Sequence, residues 1–238
     1  MARDFDGTND QISFTNKTSV TQATDLSFSC WVWQDNITQD HAVFDFSSVG
    51  LGIQLYFDDV GSSSGRTDTF KVSVAETGAD DLSQEWSTGA GTSGAWQHIF
   101  LGVDTGSATG LQFWVNGVED ALSPVSLSAI SDIGGTTNAI IFGQDQAGNR
   151  DRDGRIAEAA FWNRILNDTE IGNLASGYGP TRISNGLVFY APMLGYGSVE
   201  EEAASGLLNG TLTGTTLAAT HPAIVYETSL RYLIQGGI

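Results

Sequence analysis

The chain has 238 residues with 29 glycines, 4 prolines and 1 cysteine, which suits many short strands and excludes an intrachain disulfide. Lysine and arginine total 10 against 28 aspartates and glutamates, so the formal net charge is −18. Such a surface repels phosphate backbones and anionic lipids, which excludes nucleic acid and membrane surfaces as partners. No apolar run approaches the roughly 18 residues of a membrane span, so no membrane insertion is expected.

The N-terminal segment, MARDFDGTND, lacks the apolar core of a secretory signal peptide. We therefore expect synthesis in the cytoplasm and release, if any, by lysis or a dedicated machine. The acidic residues are dispersed through the predicted loops, and their plain interpretation is solubility. The alternative is that some of them hold a cation.

Two short strands are predicted within residues 4–14, around a turn at residues 6–10. Residues 25–34 form the clearest strand of the first half, because apolar side chains recur at every second position. The face that we expect in the core carries Leu26, Phe28, Cys30 and Val32. The opposite face carries Trp31 and Trp33, so loops or a partner must cover these rings.

Alternating or apolar patterns predict further strands at residues 41–46, 51–57, 69–75, 96–104 and 111–117. The last of these ends in Asn116-Gly117, the preferred pair for a tight hairpin turn. Residues 78–94 are polar and include Trp86. We expect this stretch to be an exposed loop at one end of the molecule.

Residues 138–177 carry the most informative pattern of the chain. A short strand at residues 139–142 is followed by an acidic loop at residues 143–154 and a second strand at residues 155–162. A helical turn then begins at Asn167, where Glu170 completes a capping box, and it ends at Gly177.

This region resembles the last third of a pentraxin or laminin-G-like domain: an apolar strand, Gly-Gln-acid-Gln, a polar loop, Gly-x-Ile, a strand ending in Trp, then Glu-Ile. The opening Phe-Asp-Gly-x-x-Asp, the Trp-x-His of residues 96–98 and the Leu-x-Phe-Trp-Val-Asn-Gly of residues 111–117 are similar to the same family. The resemblance covers residues 4–179. It implies an all-β, concanavalin A-like jelly-roll sandwich of two antiparallel sheets with one short helix.

We expect this sandwich in residues 1–179 and a C-terminal extension in residues 180–238. The extension has apolar strand patterns at residues 187–190, 223–226 and 230–234, but too few residues for a core of its own. Uncovered, these strands would expose edges that aggregate. The extension is therefore predicted to pack on the sandwich or on a neighbouring subunit.

No catalytic constellation is recognisable, and we expect no enzyme activity. The Glu-x-Asp-x-x-Glu strand of the related β-glucanases does not occur, and residues 200–202 are predicted to lie in a loop. The histidines are scattered, and His98 is interpreted as structural. Strict alternation places Glu158 on the face of Ile156 and Trp162. It then needs a buried donor, for which the candidates are Arg155, Arg164 and His98, unless a β-bulge turns it outward.

The resemblance to pentraxins implies a calcium site in the phrase Gly143-Gln144-Asp145-Gln146, although Ala147 replaces a carboxylate and residues 47–50 lack an acid. Oxygen-bearing side chains crowd this loop, and Ca²⁺ takes six to eight oxygen ligands. The candidate metal ligands are Asp145, Gln146, Asn149, Asp151 and Asp153. Three arginines are interleaved with these acids, so ion pairing within the loop is the alternative.

Two functions are compatible with the sequence. The first is a structural virion protein, a capsid decoration or other surface protein of a tailed bacteriophage, which contacts a major capsid or tail protein and associates with itself. Laminin-G-like domains also occur in phage virion proteins. The second is a lectin-like module that binds a host glycan, with Trp86 as a ligand contact and Ca²⁺ as an aid.

Overall fold

The computed structural model describes residues 2–48, 51–59, 68–75, 82–86, 92–105, 110–120, 133, 136–194, 199–206 and 208–226. The strand predicted at residues 230–234 lies outside these residues, and so does the side chain of Trp86. No helix in the described part of the chain is long and apolar enough to cross a membrane.

The strands of the first half are β1 (Arg3–Asp6), β2 (Gln11–Phe14), β3 (Asp25–Gln34), β4 (His41–Asp45), β5 (Gly52–Asp58), β6 (Thr69–Ala75), β7 (Leu82–Trp86), β8 (Trp96–Asp104), β9 (Leu111–Val115) and β10 (Val118–Glu119). Those of the second half are β11 (Ile140–Phe142), β12 (Asp153–Trp162), β13 (Leu187–Ala191), β14 (Val199–Glu201), β15 (Asn209–Thr213) and β16 (Thr216–Leu217). Helices α1 (Thr18–Thr21) and α2 (Asp168–Ala175) and a 3₁₀ turn (Pro180–Arg182) complete the elements.

The strands form two sheets in which the neighbours run antiparallel. The first sheet has the order β10-β9-β8-β3-β12-β1-β16, with β13 also paired to β12. The second has the order β14-β15-β2-β11-β4-β5-β6-β7. The predicted all-β jelly-roll sandwich of two antiparallel sheets is confirmed.

The space between the sheets is filled mainly by aromatic rings. Phe28 of β3 lies 4.4 Å from Phe44 and 4.8 Å from Phe161, measured between ring centroids. Its strand contributes the residues expected there, Leu26, Phe28, Cys30 and Val32, each at most 1% exposed. Burial also raises the pKa of the Cys30 thiol, which therefore stays neutral and acts as a small apolar side chain.

The outer face of the first sheet is covered over much of its length, so β3 is buried on both sides at its start. Ser27 accepts a hydrogen bond at 3.0 Å from the backbone N–H of Leu166, just before α2. Helix α2 begins as predicted, because Asn167 and Glu170 cap it reciprocally. Trp31 and Trp33, farther along the same face, are only half-buried.

The C-terminal segment supplies strands to both sheets of the sandwich. Strand β13 pairs with β12, β15 with β2, and β16 with β1. Phe189 on β13 is fully buried and contacts the ring of Phe14 at 4.9 Å. The prediction of a loop at residues 200–202 is wrong for its first part, because β14 includes Glu200, whose carboxylate forms a buried ion pair of 3.1 Å with Arg3.

Two other expectations need correction. The stretch predicted as a loop at residues 78–94 contains β7, which pairs antiparallel with β6 from Phe70 to Val74. The strand was missed because most of its residues are polar. Polar residues are common in a strand that lies at the edge of its sheet, as β7 does. Helix α1 was not expected, since its four residues are rich in β-branched side chains.

Replacing Phe189 with alanine should remove an aromatic ring from the shared core. We expect the free energy of unfolding to fall by about 3–5 kcal/mol, as for other buried Phe→Ala changes. Val199→Ala is the control in the same segment, because Val199 is 41% exposed and should change stability by less than about 0.5 kcal/mol. Urea unfolding of both variants measures the difference, and equal losses would show that the segment does not share the core.

Candidate functional site

The acidic loop lies between β11 and β12 at one end of the sandwich. Its ends are joined by a hydrogen bond of 2.8 Å from the N–H of Arg152 to the carbonyl of Gly143. Gly143 has a φ of +85° and lies on the ring of Phe5, where a Cβ atom would come within 2.2 Å of the ring. This contact requires glycine and fixes the loop against the core.

An arginine provides the positive charge beside the first predicted metal ligand. The carboxylate of Asp145 is 3% exposed, and its Oδ2 lies 3.1 Å from Arg150 Nη1. Its Oδ1 accepts a hydrogen bond of 2.8 Å from the N–H of Asn149. Both oxygens are thus engaged within the loop, which matches the ion-paired alternative rather than an open calcium ligand.

The other predicted ligands do not converge on Asp145. Gln146 turns its amide nitrogen to the carbonyls of Asp45 and Ala139, and Asn149 is exposed. Asp151 accepts a hydrogen bond of 2.6 Å from Gln144, while Asp153 lies at the start of β12 opposite Asp6. As a set, these residues do not fit a calcium ion, and calcium binding in this loop stays a prediction.

A buried histidine connects this loop to the loop after β3. The Nε2 atom of His41 lies 3.0 Å from the carbonyl of Asn36, and its Nδ1 lies 2.9 Å from the carbonyl of Asp151 and 3.2 Å from the N–H of Asp153. Burial lowers the pKa of His41 and favours the neutral ring. A neutral ring carries one N–H, so it donates either from Nε2 to Asn36 or from Nδ1 to Asp151, and either bond joins His41 to one of the two loops.

An open cleft of about 390 Å³ lies beside the two loops and is lined by Gly7, Thr38, Gln39, Asp40, Asp59, Asn149 and Asp151. Two of these lining residues, Asp40 and Asp59, form with Asp58 an acidic cluster, in which one carboxylate oxygen of each residue lies within 4.8 Å of the others. Sequence reasoning missed this cluster. The cluster could have been found from the hairpin of β4 and β5, in which the pairing of His41 with Phe57 brings Asp40 next to Asp58.

Two basic side chains compensate part of the charge of the acidic cluster. Arg150 Nε lies 3.7 Å from Asp40, and Lys71 Nζ lies 3.6 Å from Asp58. Arg150 also stacks on the ring of Tyr56 at 4.1 Å, which holds its guanidinium in place. The cluster offers carboxylate oxygens to a hard cation or to hydroxyl groups in the cleft.

Replacing Asp59 with asparagine should stabilise the protein near neutral pH. Burial, followed by the hydrogen bond and charge of Asp40, raises the pKa of Asp59. A carboxyl whose pKa is raised by folding costs stability when it is ionised, and this cost disappears as pH falls through the raised pKa. We expect the melting temperature to rise by roughly 1–2 °C at pH 7 in chelator, with a smaller gain near pH 4.

The control for this comparison is Glu119→Gln, because Glu119 is an exposed acid on β10. A lower melting temperature for Asp59→Asn in chelator would show that its ionised carboxylate stabilises the fold.

Replacing Asp145 with alanine tests the acidic loop. Removing the carboxylate leaves Arg150 without its closest partner, so we expect a loss of about 1–3 kcal/mol in the free energy of unfolding. The melting temperature of the unaltered chain should not change on adding chelator at low salt. If chelator lowers it and Asp145→Ala abolishes that effect, calcium is bound at this loop.

The remaining buried titratable groups are structural. Glu158 is 1% exposed and sits at a β-bulge with a φ of +58°. Its carboxylate accepts hydrogen bonds from the hydroxyls of Tyr190 and Tyr226, and His221 lies 3.4 Å away. The donors expected from the sequence are therefore wrong. Burial and the charge of Glu158 raise the pKa of Tyr190 and of Tyr226, so both phenols stay protonated as donors.

The same bulge reverses the faces of β12. Ile156 packs in the core between the sheets, whereas Trp162 packs on the outer side near α2. The expectation that they share a face is wrong, because the extra residues of a bulge shift the alternation. His98 lies on the outer face of β8, where its Nε2 is 2.8 Å from Ser29 Oγ. Burial lowers the pKa of His98 to about 3, so its ring is neutral.

The sequence of this sandwich matches one family model over most of its length. Residues 6–172 match the Laminin_G_3 model, described as the concanavalin A-like lectin/glucanases superfamily. The chain belongs to this family. The match includes every strand from β2 to β12, and so includes the acidic loop and the cleft. No curated protein sequence is detectably similar to the chain.

Several solved structures share the fold of this chain at low sequence identity. A candidate carbohydrate-binding protein from Bacteroides ovatus superposes with a TM-score of 0.69 and 21% identity, over 94% of this chain and 61% of that protein. Domain 4 of an extracellular arabinanase from Geobacillus stearothermophilus, in complex with arabinotriose, gives 0.53 and 17%, over 73% and 76% of the two chains. A sialidase module from Ruminococcus gnavus bound to α2,3-sialyllactose gives 0.53 and 14%, over 70% and 93%.

Proposed function

We propose that this chain is a non-catalytic carbohydrate-binding module that holds a glycan in the cleft. The observation that carries the proposal is the lining of the cleft. The residues that line this concave surface include three aspartates (Asp40, Asp59 and Asp151) together with Asn149 and Thr38. Carboxylates accept hydrogen bonds from sugar hydroxyls, and a few placed polar groups in a concavity are what a small-molecule site requires.

The spacing of the acidic cluster favours binding over hydrolysis. Glycosidases place two carboxyl groups about 5–9.5 Å apart, on either side of the bond that is cleaved. Here the nearest carboxylate oxygens lie within 4.8 Å of one another, and the backbone N–H of Asp59 donates to Asp40 at 3.2 Å. Arg150 and Lys71 further hold two of the acids in ion pairs. The paired acids are thus held as carboxylates, which accept hydrogen bonds from sugar hydroxyls.

The compared structures support the class of ligand. One is a candidate carbohydrate-binding protein, and the other two were solved with arabinotriose and with α2,3-sialyllactose. These ligands belong to those proteins and do not specify the sugar for this chain. From the motif resemblance we separately propose that the protein lies on the capsid or tail surface of a bacteriophage. Its partners there would be virion proteins and further copies of this chain. Mass spectrometry of purified particles tests it.

The proposed function predicts that the purified chain binds at least one glycan on an array of neutral and acidic structures. Asp40→Ala should weaken binding of that glycan by at least about tenfold, since a hydrogen bond to a charged group contributes about 1.5–3 kcal/mol. Asp168→Ala, on exposed α2, is the control and should bind as the unaltered chain does.

Isothermal titration measures the affinities, and thermal melts verify that each variant is folded. Absence of binding to every glycan, or release of reducing sugar by the unaltered chain, would contradict the proposed function.

A further inference from the structure

A pair of tryptophans forms a corner on the outer face of the first sheet. Trp33 of β3 and Trp96 of β8 are directly opposite each other in the sheet register. Their ring centroids lie 5.9 Å apart at 66°, an edge-to-face arrangement, and both side chains are half-buried. Trp31 lies next to them and packs with Trp96 against Ala2, Ala157 and Ala218. We call Trp33 and Trp96 the tryptophan corner.

The described elements cover much of this outer face and leave the tryptophan corner partly exposed. Toward α2, Phe100, Trp162, Ile171 and Leu174 form a closed apolar cluster. Along β12, the segment after β16 lies on the sheet and is attached to Glu158 through Tyr226. The corner lies at the opposite end, where Ser93 and Gly94 are exposed.

Polar groups hold the rim of the tryptophan corner in a fixed geometry. Asp35 accepts a hydrogen bond of 2.9 Å from the indole N–H of Trp33. Arg155 stacks on Trp33 at 4.9 Å and forms ion pairs with Asp4 at 3.0 Å and with Asp35 at 3.5 Å. The carboxyl side chains of Asp4 and Asp35 are 34% and 39% exposed, so both still offer oxygens to a ligand.

Two chain segments lead directly from the tryptophan corner to the cleft. Residues 33–35 at the corner lead directly into residues 38–40, which line the cleft. Strand β1 passes from Asp4 at the corner to Gly7 in the cleft. Both segments are hydrogen-bonded to the backbone at the start of β12. The N–H of Asp35 donates to the carbonyl of Asp153 at 3.2 Å, and the N–H of Gly7 donates to the carbonyl of Arg152 at 2.9 Å.

We propose that the tryptophan corner is an aromatic subsite for a neutral sugar ring, so that an oligosaccharide runs from the cleft onto Trp33 and Trp96. This inference rests on the proposed function. A sugar ring has an apolar C–H face and a rim of hydroxyls, and the corner presents aromatic rings beside fixed carboxylates that match both.

The charge of this surface selects against acidic glycans. Asp4 and Asp35 border the corner, and Asp40, Asp59 and Asp151 line the cleft. The chain as a whole carries a net charge of −18. Placing like charges opposite each other is costly, so a sialylated or uronic-acid chain is repelled along the whole path. The ligand class is therefore a neutral oligosaccharide longer than the cleft alone can hold.

The experiment compares short and long neutral glycans on the full chain. Gluco-, xylo-, manno- and arabino-oligosaccharides of two and six units, together with α2,3-sialyllactose, are titrated by calorimetry. For the series that binds, we expect Trp33→Ala and Trp96→Ala each to weaken the six-unit ligand about tenfold and leave the two-unit ligand unchanged, because only the longer chain reaches the corner. Trp114→Ala is the control, a half-buried tryptophan of the same sheet that packs near α2.

A second measurement needs no destabilised variant. The indole N–H resonances of Trp33 and Trp96, assigned from Trp33→Phe and Trp96→Phe, should shift with the six-unit ligand and stay in place with the two-unit ligand. Equal affinities for both lengths, or unshifted resonances with the longer ligand, would overturn the subsite. Binding of α2,3-sialyllactose would contradict the selection for neutral sugars. In each of these cases a cleft-bound glycan leaves the proposed function intact. No binding of any glycan would contradict both.

Discussion

The close approach of β12 to β3 is the constraint on which the rest of the molecule depends. Gly154 lies so near the carbonyl of Trp33 that a Cβ atom would come within 2.1 Å of the oxygen. Because β12 pairs with β3, β1 and β13, this contact sets the spacing at the middle of the first sheet. It also fixes the two loops beside β12, and with them the cleft and the tryptophan corner. A side chain at this position would force the strands apart where both surfaces meet.

The positive charge inside the acidic loop connects two parts of the candidate site. A guanidinium belongs to the chain and stays protonated at physiological pH, so this charge is always present. Arg150 stacks on Tyr56 and pairs with both Asp145 and Asp40, so one side chain connects the acidic loop to the acidic cluster. The acidic loop and the wall of the cleft are thereby held together by a charge that belongs to the chain itself.

The sequence predicted features that depend on local pattern. The alternation in β3, the capping box of α2 and the family phrases are each contained in a short window, and each is found in the structure. A bulge at Glu158 was one of two alternatives from the sequence. Local pattern could not decide between them, because the decision depends on Tyr190 and Tyr226, which come from distant parts of the chain and donate to the buried carboxylate. The acidic cluster was missed for a similar reason. Asp40 and Asp58 are neighbours only once β4 and β5 are paired.

The pairing of the last strands with the first ones has a consequence for synthesis on the ribosome. Strand β15 adds to the free edge of β2, and β16 adds to the free edge of β1. Until residues 209–217 emerge from the ribosome, β1 and β2 each have an exposed edge. Until β13 emerges, Phe14 also lacks its contact with Phe189. Pairings of such long sequence separation form slowly, because the chain between them must first be ordered. The nascent chain therefore cannot complete both sheets before residues 209–217 have left the ribosome.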